Sequence, residues 1–410
     1  MTRLKLMLCG TALAAMLALS SFFMANHRPN TAWDQQAYIW QRVWTKEHAD
    51  ALLQSRNLFS ALRVLALQHH SQTGWANLSI DYDELKKDGR PLWLVVRLDE
   101  QLNPADRPAI YQHIFALTQS WQARGLNLLG VEIDHDAASA RLPEYLQFLQ
   151  GLKQGLPPAL QLSITALPTW SSSPIFPKIL QLTDQSVLQV HAVLSPEQGL
   201  FDAKLALGWI KRYSQLSDRP FRAALPAYGM GLTRVGSKDW QVESESPLRM
   251  ANNKQELTVA PQQLAQFIEQ LQTQRLPSLQ GLIWFRLPLA SDQRAWSLST
   301  LSAVILQQPL TPNWQVKIHS LPAKLNETKQ LHDIVLHNAG PADAPLPRQI
   351  SIVASDCLAA DAIGNYQLAS DRYQQHFKLI KPDQLRSGQS RPIGWLRCTS
   401  LQEDKTLVSP

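Results

Sequence analysis

The chain has 410 residues, 45% of them hydrophobic and 18% charged. That composition excludes a disordered chain and leaves room for more than one domain, since a domain takes ~100–200 residues. The formal net charge of +6 is spread along the chain without a block of like charges, which excludes a nucleic-acid stripe, so no nucleic-acid partner is expected.

The N-terminus stands apart. Arg3 and Lys5 precede "LMLCGTALAAMLALSSFFMA" at 6–25, which carries no charge. A basic n-region before an apolar h-region is an export signal, and "ALS" at 18–20 offers a small-x-small cleavage site. A run of about 20 apolar residues is also long enough to span a bilayer. Residues 1–25 are therefore expected to be a signal peptide or an uncleaved inner-membrane anchor, with the rest of the chain periplasmic or exported.

From residue 37 short β-rich runs alternate with helical stretches. The runs are "AYIWQRVW" (37–44), "LFSALRVLALQ" (58–68), "LWLVVRL" (92–98) and "LLGVEIDHD" (128–136), followed by "LQLSITAL" (160–167), "VLQVHAVL" (187–194), "FRAALPAY" (221–228) and "LQGLIWFRL" (279–287). Helices are predicted at 106–124, 141–155, 201–215, 261–274 and 293–307, and "YDELKKDG" gives only a short helical turn. In the second of these helices Leu142, Tyr145, Leu146, Leu149 and Leu152 recur at the 3–4 residue spacing of an amphipathic helix. Eight strand–helix repeats predict a (β/α)8 barrel over 31–308. An open doubly wound sheet would carry a Gly-rich phosphate turn after its first strand, and none is present. The long connection after the seventh run, 229–260, has the length of a lid or binding loop.

Past a linker at 307–313 the pattern changes. "WQVKIHSL", "HDIVLHNA", "RQISIVAS" and "YQQHFKLI" are alternating runs punctuated by Pro, Gly, Asn and Asp, and predict a small antiparallel β-sandwich over 313–410. This part holds Cys357 and Cys398, each at the end of a predicted strand, and an even pair in an exported chain predicts a disulfide.

The fourth run carries the chemistry. In a strand residues i, i+2 and i+4 share a face, so Glu132, Asp134 and Asp136 point one way and Val131 and Ile133 the other. In a barrel the apolar parity meets the helices, and the acidic parity faces the lumen and reaches the C-terminal mouth, where such barrels build active sites. The next two strands have the same polar parity, with Gln161, Ser163 and Thr165, then Gln189 and His191. Crowded carboxylates raise one another's pKa, and a proton held near neutral pH is what a general acid requires. Asp136 is the candidate general acid/base, Asp134 its partner and Glu132 a deeper support. Arg97, on the third strand, could pair with Asp134, but one arginine would not offset three carboxylates. Arg97, Gln189, His191 and Tyr228 are candidate substrate-orienting residues. Trp170 and Trp284 could each offer a sugar-stacking face or pack in the core, and Trp40 is read as core. His69–His70 would lie at the mouth, but no H-E-x-x-H or C-x-x-C pattern is present, so neither a metal nor another cofactor is expected.

The stretch "LGVEIDHD" resembles the fourth-strand Asp-x-x-Asp-x-Asp-x-Glu pattern of chitinase-type (family 18) glycoside hydrolases. Asp134 matches the central aspartate and Asp136 falls at the catalytic glutamate position, one methylene short. Glu132 and Leu129 replace the first two aspartates. The segments "YIWQRVWT", "EIDHD", "RLPEYLQFLQGLK", "LSITALPTW" and "LQVHAV" resemble more closely a bacterial domain of unknown function numbered 3142. The resemblance implies a glycosidase-like barrel acting on a polysaccharide or oligosaccharide. Two other readings stay open, a glycan-binding protein without turnover and an envelope-assembly subunit that works through its β-sandwich.

Overall fold

The structure is a computed structural model that describes residues 33–99, 101–191, 199–235, 239–243, 254–321, 328–371 and 373–409. The N-terminal segment read as a leader or anchor lies outside these residues. Among the described residues no helix is long and apolar enough to cross a membrane.

Eight parallel strands close into a barrel. They are β1 (Asp34–Ile39), β2 (Ala61–His70), β3 (Leu92–Asp99), β4 (Leu128–Asp134), β5 (Gln161–Ala166), β6 (Gln185–Gln189), β7 (Phe221–Pro226) and β8 (Leu279–Phe285). Each pairs with its neighbours in chain order, and β1 closes the ring by pairing with both β2 and β8. A helix follows every strand, at Lys46–Gln54, Tyr82–Asp88, Arg107–Ala123, Leu142–Gly155, Phe176–Leu182, Ala203–Leu216, Pro261–Gln272 and Leu298–Ile305. The helix at Leu142–Gly155 starts with a proline in its first turn, where no backbone donor is lost. It buries Leu142, Tyr145, Phe148, Leu149 and Leu152 against the strands.

The strands' outward side chains and the helices' inward faces make one large core that includes Val131, Ile133, Leu162 and Ile164. The lumen holds a second, smaller apolar cluster of Tyr38, Val95, Val187, Ala224 and Ile283. Trp93 fills the lumen's floor, and it explains a glycine. A Cβ on Gly130 would stand 2.8 Å from the Trp93 ring and 2.1 Å from the Gln161 carbonyl oxygen.

The long connection after β7 is not a plain loop. Its described parts form a three-stranded antiparallel sheet of Met230–Val235, Asp239–Glu243 and Lys254–Leu257.

The C-terminal part is an antiparallel sheet of six strands, β9 (Trp314–Ser320), β10 (Gln330–Asn338), β11 (Gln349–Ala362), β12 (Tyr366–Ser370), β13 (Gln374–Leu379) and β14 (Ser390–Ser409). Their order is β9-β10-β14-β11-β13-β12. The two long strands, β11 and β14, run the whole height and are bulged beside Asp356, which takes a φ of 51°. The sheet thereby folds over itself. Phe377 on β13 packs so closely against Gly394 on β14 that a Cβ there would lie 2.5 Å from its ring. The sandwich is thus one sheet bent around a shared core of Ile334, Leu336, Ile350, Ile352, Phe377, Ile393 and Leu396. Cys357 and Cys398 face each other across β11 and β14 and are disulfide-bonded, with Cα atoms 3.9 Å apart. Polar contacts tie the sheet to the barrel. Asp343 accepts from the backbone N–H groups of Ser297 (2.8 Å) and Ser387 (3.0 Å), and Arg386 donates to the Ala290 carbonyl (2.8 Å).

Candidate functional site

The lumen is stratified. Glu132 on β4 lies fully buried at mid-height, with both oxygens engaged. Tyr38 on β1 donates to Oε1 (2.6 Å), Ser163 on β5 donates to Oε2 (2.8 Å), and Arg63 on β2 forms an ion pair with Oε2. Arg63 is equally buried. It also donates to Gln36 (2.9 Å) and Gln185 (3.0 Å), and its guanidinium lies 4.7 Å from the centre of the Trp93 ring. Buried charges need this kind of pairing and hydrogen bonding, because an isolated one would be too costly to desolvate. Burial, then the adjacent Glu132 charge, pushes the Tyr38 hydroxyl well above its usual range, so it stays a donor.

One turn of the ladder higher, Asp134 Oδ1 accepts from Thr165 (2.5 Å) and Oδ2 from Arg97 Nη1 (2.9 Å). Arg97 Nη2 reaches on to Asp136 Oδ2 (2.8 Å). The pairing of Arg97 with Asp134, expected from sequence, is present, and their backbones are also in register across β3 and β4. The expectation of a single arginine among the three carboxylates needs correction, because Arg63 enters the lumen from β2 and takes Glu132. That changes the electrostatics. Glu132 is neutralised below the site, and Asp134 and Asp136 divide Arg97 with Asp99, whose Oδ1 accepts from Nε (2.7 Å).

Asp136 stands at the opening, its side chain 43% exposed. Partial loss of water in the cleft, then the charge of Asp134, raises its carboxyl above the usual range, while Arg97 and His135 act in the opposite direction. His135 itself points outward, its Nδ1 2.9 Å from the Leu98 carbonyl oxygen. That leaves Asp136 as the mouth carboxyl that both reaches solvent and holds its proton more tightly than usual.

The cleft over these carboxylates has a volume of about 500 Å³. Its acidic side is Asp99, Asp134 and Asp136 with Arg97, Arg42 and Gln68. The side from β8, β1 and β7 is aromatic, formed by Phe285, Tyr38, Trp40 and Tyr228. Trp40 and Phe285 rings are 5.0 Å apart, and Tyr228 and Phe285 rings 5.1 Å. Gln189 and His191 line the cleft from β6 and the residues after it. His191 is 5% exposed, and burial lowers its pKa to about 3, so its ring is neutral. Its Nδ1 lies 3.4 Å from the Tyr228 hydroxyl, which burial pushes upward in turn.

The structure therefore brings Glu132, Asp134, Asp136, Arg97, Gln189, His191 and Tyr228 to one barrel interior. It does not bring Trp170 or Trp284 there. Both are fully buried outside the lumen. Trp284 sits between the inward-facing Ile283 and Phe285, so its own side chain points to the helices, and its Nε1 donates to Gln35 (2.8 Å). Trp170 follows β5 in a short turn packed against Tyr145 and Phe176, with Nε1 donating to the Ala137 carbonyl (2.7 Å). Neither has a free face for a sugar. Trp40, read as core, is the tryptophan that lines the cleft. The connection after β7 contributes Met230 to the cleft. His69 packs against Trp75, and His70 Nδ1 lies 3.2 Å from Asp99. Sequence reasoning missed Arg63, Asp99, Gln68 and Phe285. Arg63 had a signal, as the lone charge inside the apolar run of β2.

Residues 88–290 match a family described as a domain of unknown function (DUF3142), and residues 321–399 match a second such domain (DUF8456). The chain resembles the first family over most of its barrel. No curated protein matches the sequence significantly. Among solved structures, the spore cortex-lytic enzyme SleL of Bacillus megaterium QM B1551 is similar over 69% of this chain and 76% of its own, at 13% identity and a TM-score of 0.50. A chitinase from Chromobacterium violaceum ATCC 12472 is similar over 67% of this chain and 98% of its own, at 14% identity and a TM-score of 0.49. At such identities the likeness is one of fold, a closed eight-stranded barrel.

Proposed function

We propose that this chain is a glycan-acting barrel protein, with the mouth cleft binding a polysaccharide or oligosaccharide and Asp136 serving as general acid/base of a glycoside hydrolase-like reaction. The observation that carries the reading is Asp136 itself, a half-exposed carboxyl with a raised pKa in a cleft opposite aromatic rings. Protonated, it can donate to a glycosidic oxygen; deprotonated, it can accept the proton back from water. Phe285, Trp40 and Tyr228 give the apolar faces of sugar rings a surface to lie on. A cleft of about 500 Å³ suits a few sugar residues. A spore cortex-lytic enzyme and a chitinase share the fold, but the likeness is of fold alone, so the reading rests on the site.

A second reading is binding without turnover. One feature favours it: Asp136 is ion-paired with Arg97 and is one methylene shorter than a glutamate. A displacement of that order, roughly 1 Å, can cost about 10²-fold in a positioned reaction. A glycan-array and turnover screen of residues 30–410 separates the two. Turnover that disappears in D136N supports hydrolysis. Binding without turnover in the unmodified protein supports the second reading, and no glycan binding at all rejects both.

We also propose that the chain is exported and works on an envelope or extracellular glycan. The charge pattern of residues 1–25 and the Cys357–Cys398 disulfide support this, since disulfides persist in oxidising compartments. A reporter fused after residue 410 that is active only in the cytoplasm would refute it.

A further inference from the structure

The guanidinium of Arg97 presents three nitrogens, and each meets a different aspartate. Nη1 and Nη2 reach Asp134 (2.9 Å) and Asp136 (2.8 Å) from β4, and Nε reaches Asp99 (2.7 Å). Asp99 is two residues beyond Arg97 on β3, so the two side chains share a face. It is also held from a third strand. Its Oδ2 accepts from Gln68 Nε2 (2.6 Å) and lies 3.2 Å from His70 Nδ1, both at the top of β2. Gln68 is braced in turn, its Oε1 accepting from Arg42 Nε (2.9 Å). Burial alone would raise the Asp99 carboxyl, but the hydrogen bonds from Gln68 and Arg97 outweigh it and hold the group below its usual range. Asp99 is therefore a fixed anion that draws on the same cation as the site carboxylates.

We propose that Asp99 is a positioning residue: by occupying the Nε edge of Arg97 and carrying a fixed charge, it sets how much of that cation Asp136 receives, and so the pH at which Asp136 releases its proton. The inference deepens the reading of Asp136 as the site's acid and rests on that reading for its functional meaning. The physics does not depend on it. A cation divided among three carboxylates favours the charged form of each less than one divided between two. Removing Asp99's charge also removes a nearby anion that opposes ionisation of Asp136. Both effects have the same sign. The titratable and charged groups that act on Asp136 are Asp134 and Arg97, with His135 next in the chain but turned outward, and those that act on Asp99 are Arg97 and His70. No direct bond joins Asp99 to Asp136 in this network; Arg97 is the link.

The test is a carboxyl ¹³C titration of the aspartate-labelled chain, with the Asp136 signal assigned by its loss in D136N. D99N keeps an oxygen for Arg97 Nε and removes the charge, and it should lower the Asp136 midpoint by about one pH unit. D99E, which keeps the charge, should return the midpoint toward the original. An unchanged midpoint in folded D99N overturns the proposal. If D99N does not fold, Q68M decides: Asp99 loses its neutral donor, leans harder on Arg97, and the Asp136 midpoint should rise. No movement in Q68M overturns the proposal as well. The titration uses no glycan, so a failed glycan screen and a failed positioning role are told apart.

Discussion

The buried ion pair of Arg63 and Glu132 offers the sharpest test of how the lumen is built. Neither side chain has any solvent exposure, and both carboxylate oxygens already carry partners from Tyr38, Ser163 and Arg63. In E132Q the shape is nearly kept, but Arg63 is left as an unpaired buried cation, and one end of the new amide turns donors toward groups that already donate. Removing one partner of such a pair costs about 3–5 kcal/mol, because the remaining charge stays desolvated without compensation. R63M should cost a similar amount, with its side chain still able to lie over Trp93 while Gln36 and Gln185 lose a donor. In the double variant R63M/E132Q no charge remains, so only unpaired neutral groups are left, at about 1–3 kcal/mol. The two single costs should therefore exceed the double cost by several kcal/mol, a coupling that a double-mutant cycle measures directly. The assay is urea denaturation of all four proteins followed by tryptophan fluorescence. Single variants that each cost less than about 1 kcal/mol, the level of an exposed pair, or costs that simply add, would refute the account of the lumen as a neutralised layer beneath the site.

Four further outcomes are expected. D136N should abolish glycan turnover while leaving the urea midpoint nearly unchanged, because Asp136 is half exposed; retained turnover refutes its role. W40A should weaken glycan binding with little loss of stability, whereas W170A should destabilise by about 3–5 kcal/mol as a large core-to-alanine change. Equal effects of the two on binding would contradict their placement. Replacing both Cys357 and Cys398 by serine opens a loop with a sequence separation of 41 and should cost about 4 kcal/mol in the chain-entropy estimate. Two freely titrating thiols in the denatured, unreduced protein would show that no bridge forms. For pH, His191 is neutral when folded, with its pKa lowered to about 3, so the unfolded chain binds a proton there that the folded one does not. Its contribution is complete above the unfolded value of about 6.5 and is lost as pH falls toward 3, at up to about 1.4 kcal/mol per pH unit. H191Q should remove that slope relative to the unmodified protein between pH 6.5 and 4.5, and parallel curves would refute it.

The strand sequence of the barrel was legible because each strand is a short apolar run between turn signals, and β4 was legible in finer detail because aliphatic and acidic side chains alternate from Val131 to Asp134. Where both parities of a strand are apolar, the face is undetermined. On β8, Ile283, Trp284 and Phe285 are all hydrophobic, and nothing local says that Trp284 is the one turned away from the lumen. Trp40 was misjudged for the same reason. The Arg63–Glu132 pair joins residues 69 apart, and it forms because β2 and β4 flank β3 with both side chains on the lumen face. Asp99 was overlooked because it ends β3 without a patterned neighbour. The runs after residue 313 announced an antiparallel sandwich, but not that a single sheet makes both layers, since that depends on bends beside Asp356 that carry no turn signature.

That single bent sheet has a consequence for where the chain can be cut. β14 runs from Ser390 to Ser409, yet beyond Cys398 it pairs with β11 alone, Gln402 opposite Val353 and Ser409 opposite Gln349. Among the described residues, 402–409 are thus a margin of the sheet paired on one side. A chain shortened to residue 399, where the matched C-terminal domain ends, would strip this margin and bare the backbone of Gln349–Val353, an apolar segment open to intermolecular strand addition. Glu403, Asp404 and Lys405 sit along the outer strand, the kind of charges that discourage a neighbouring molecule from extending a sheet. Residues 402–409 are in this sense a guard rail against aggregation.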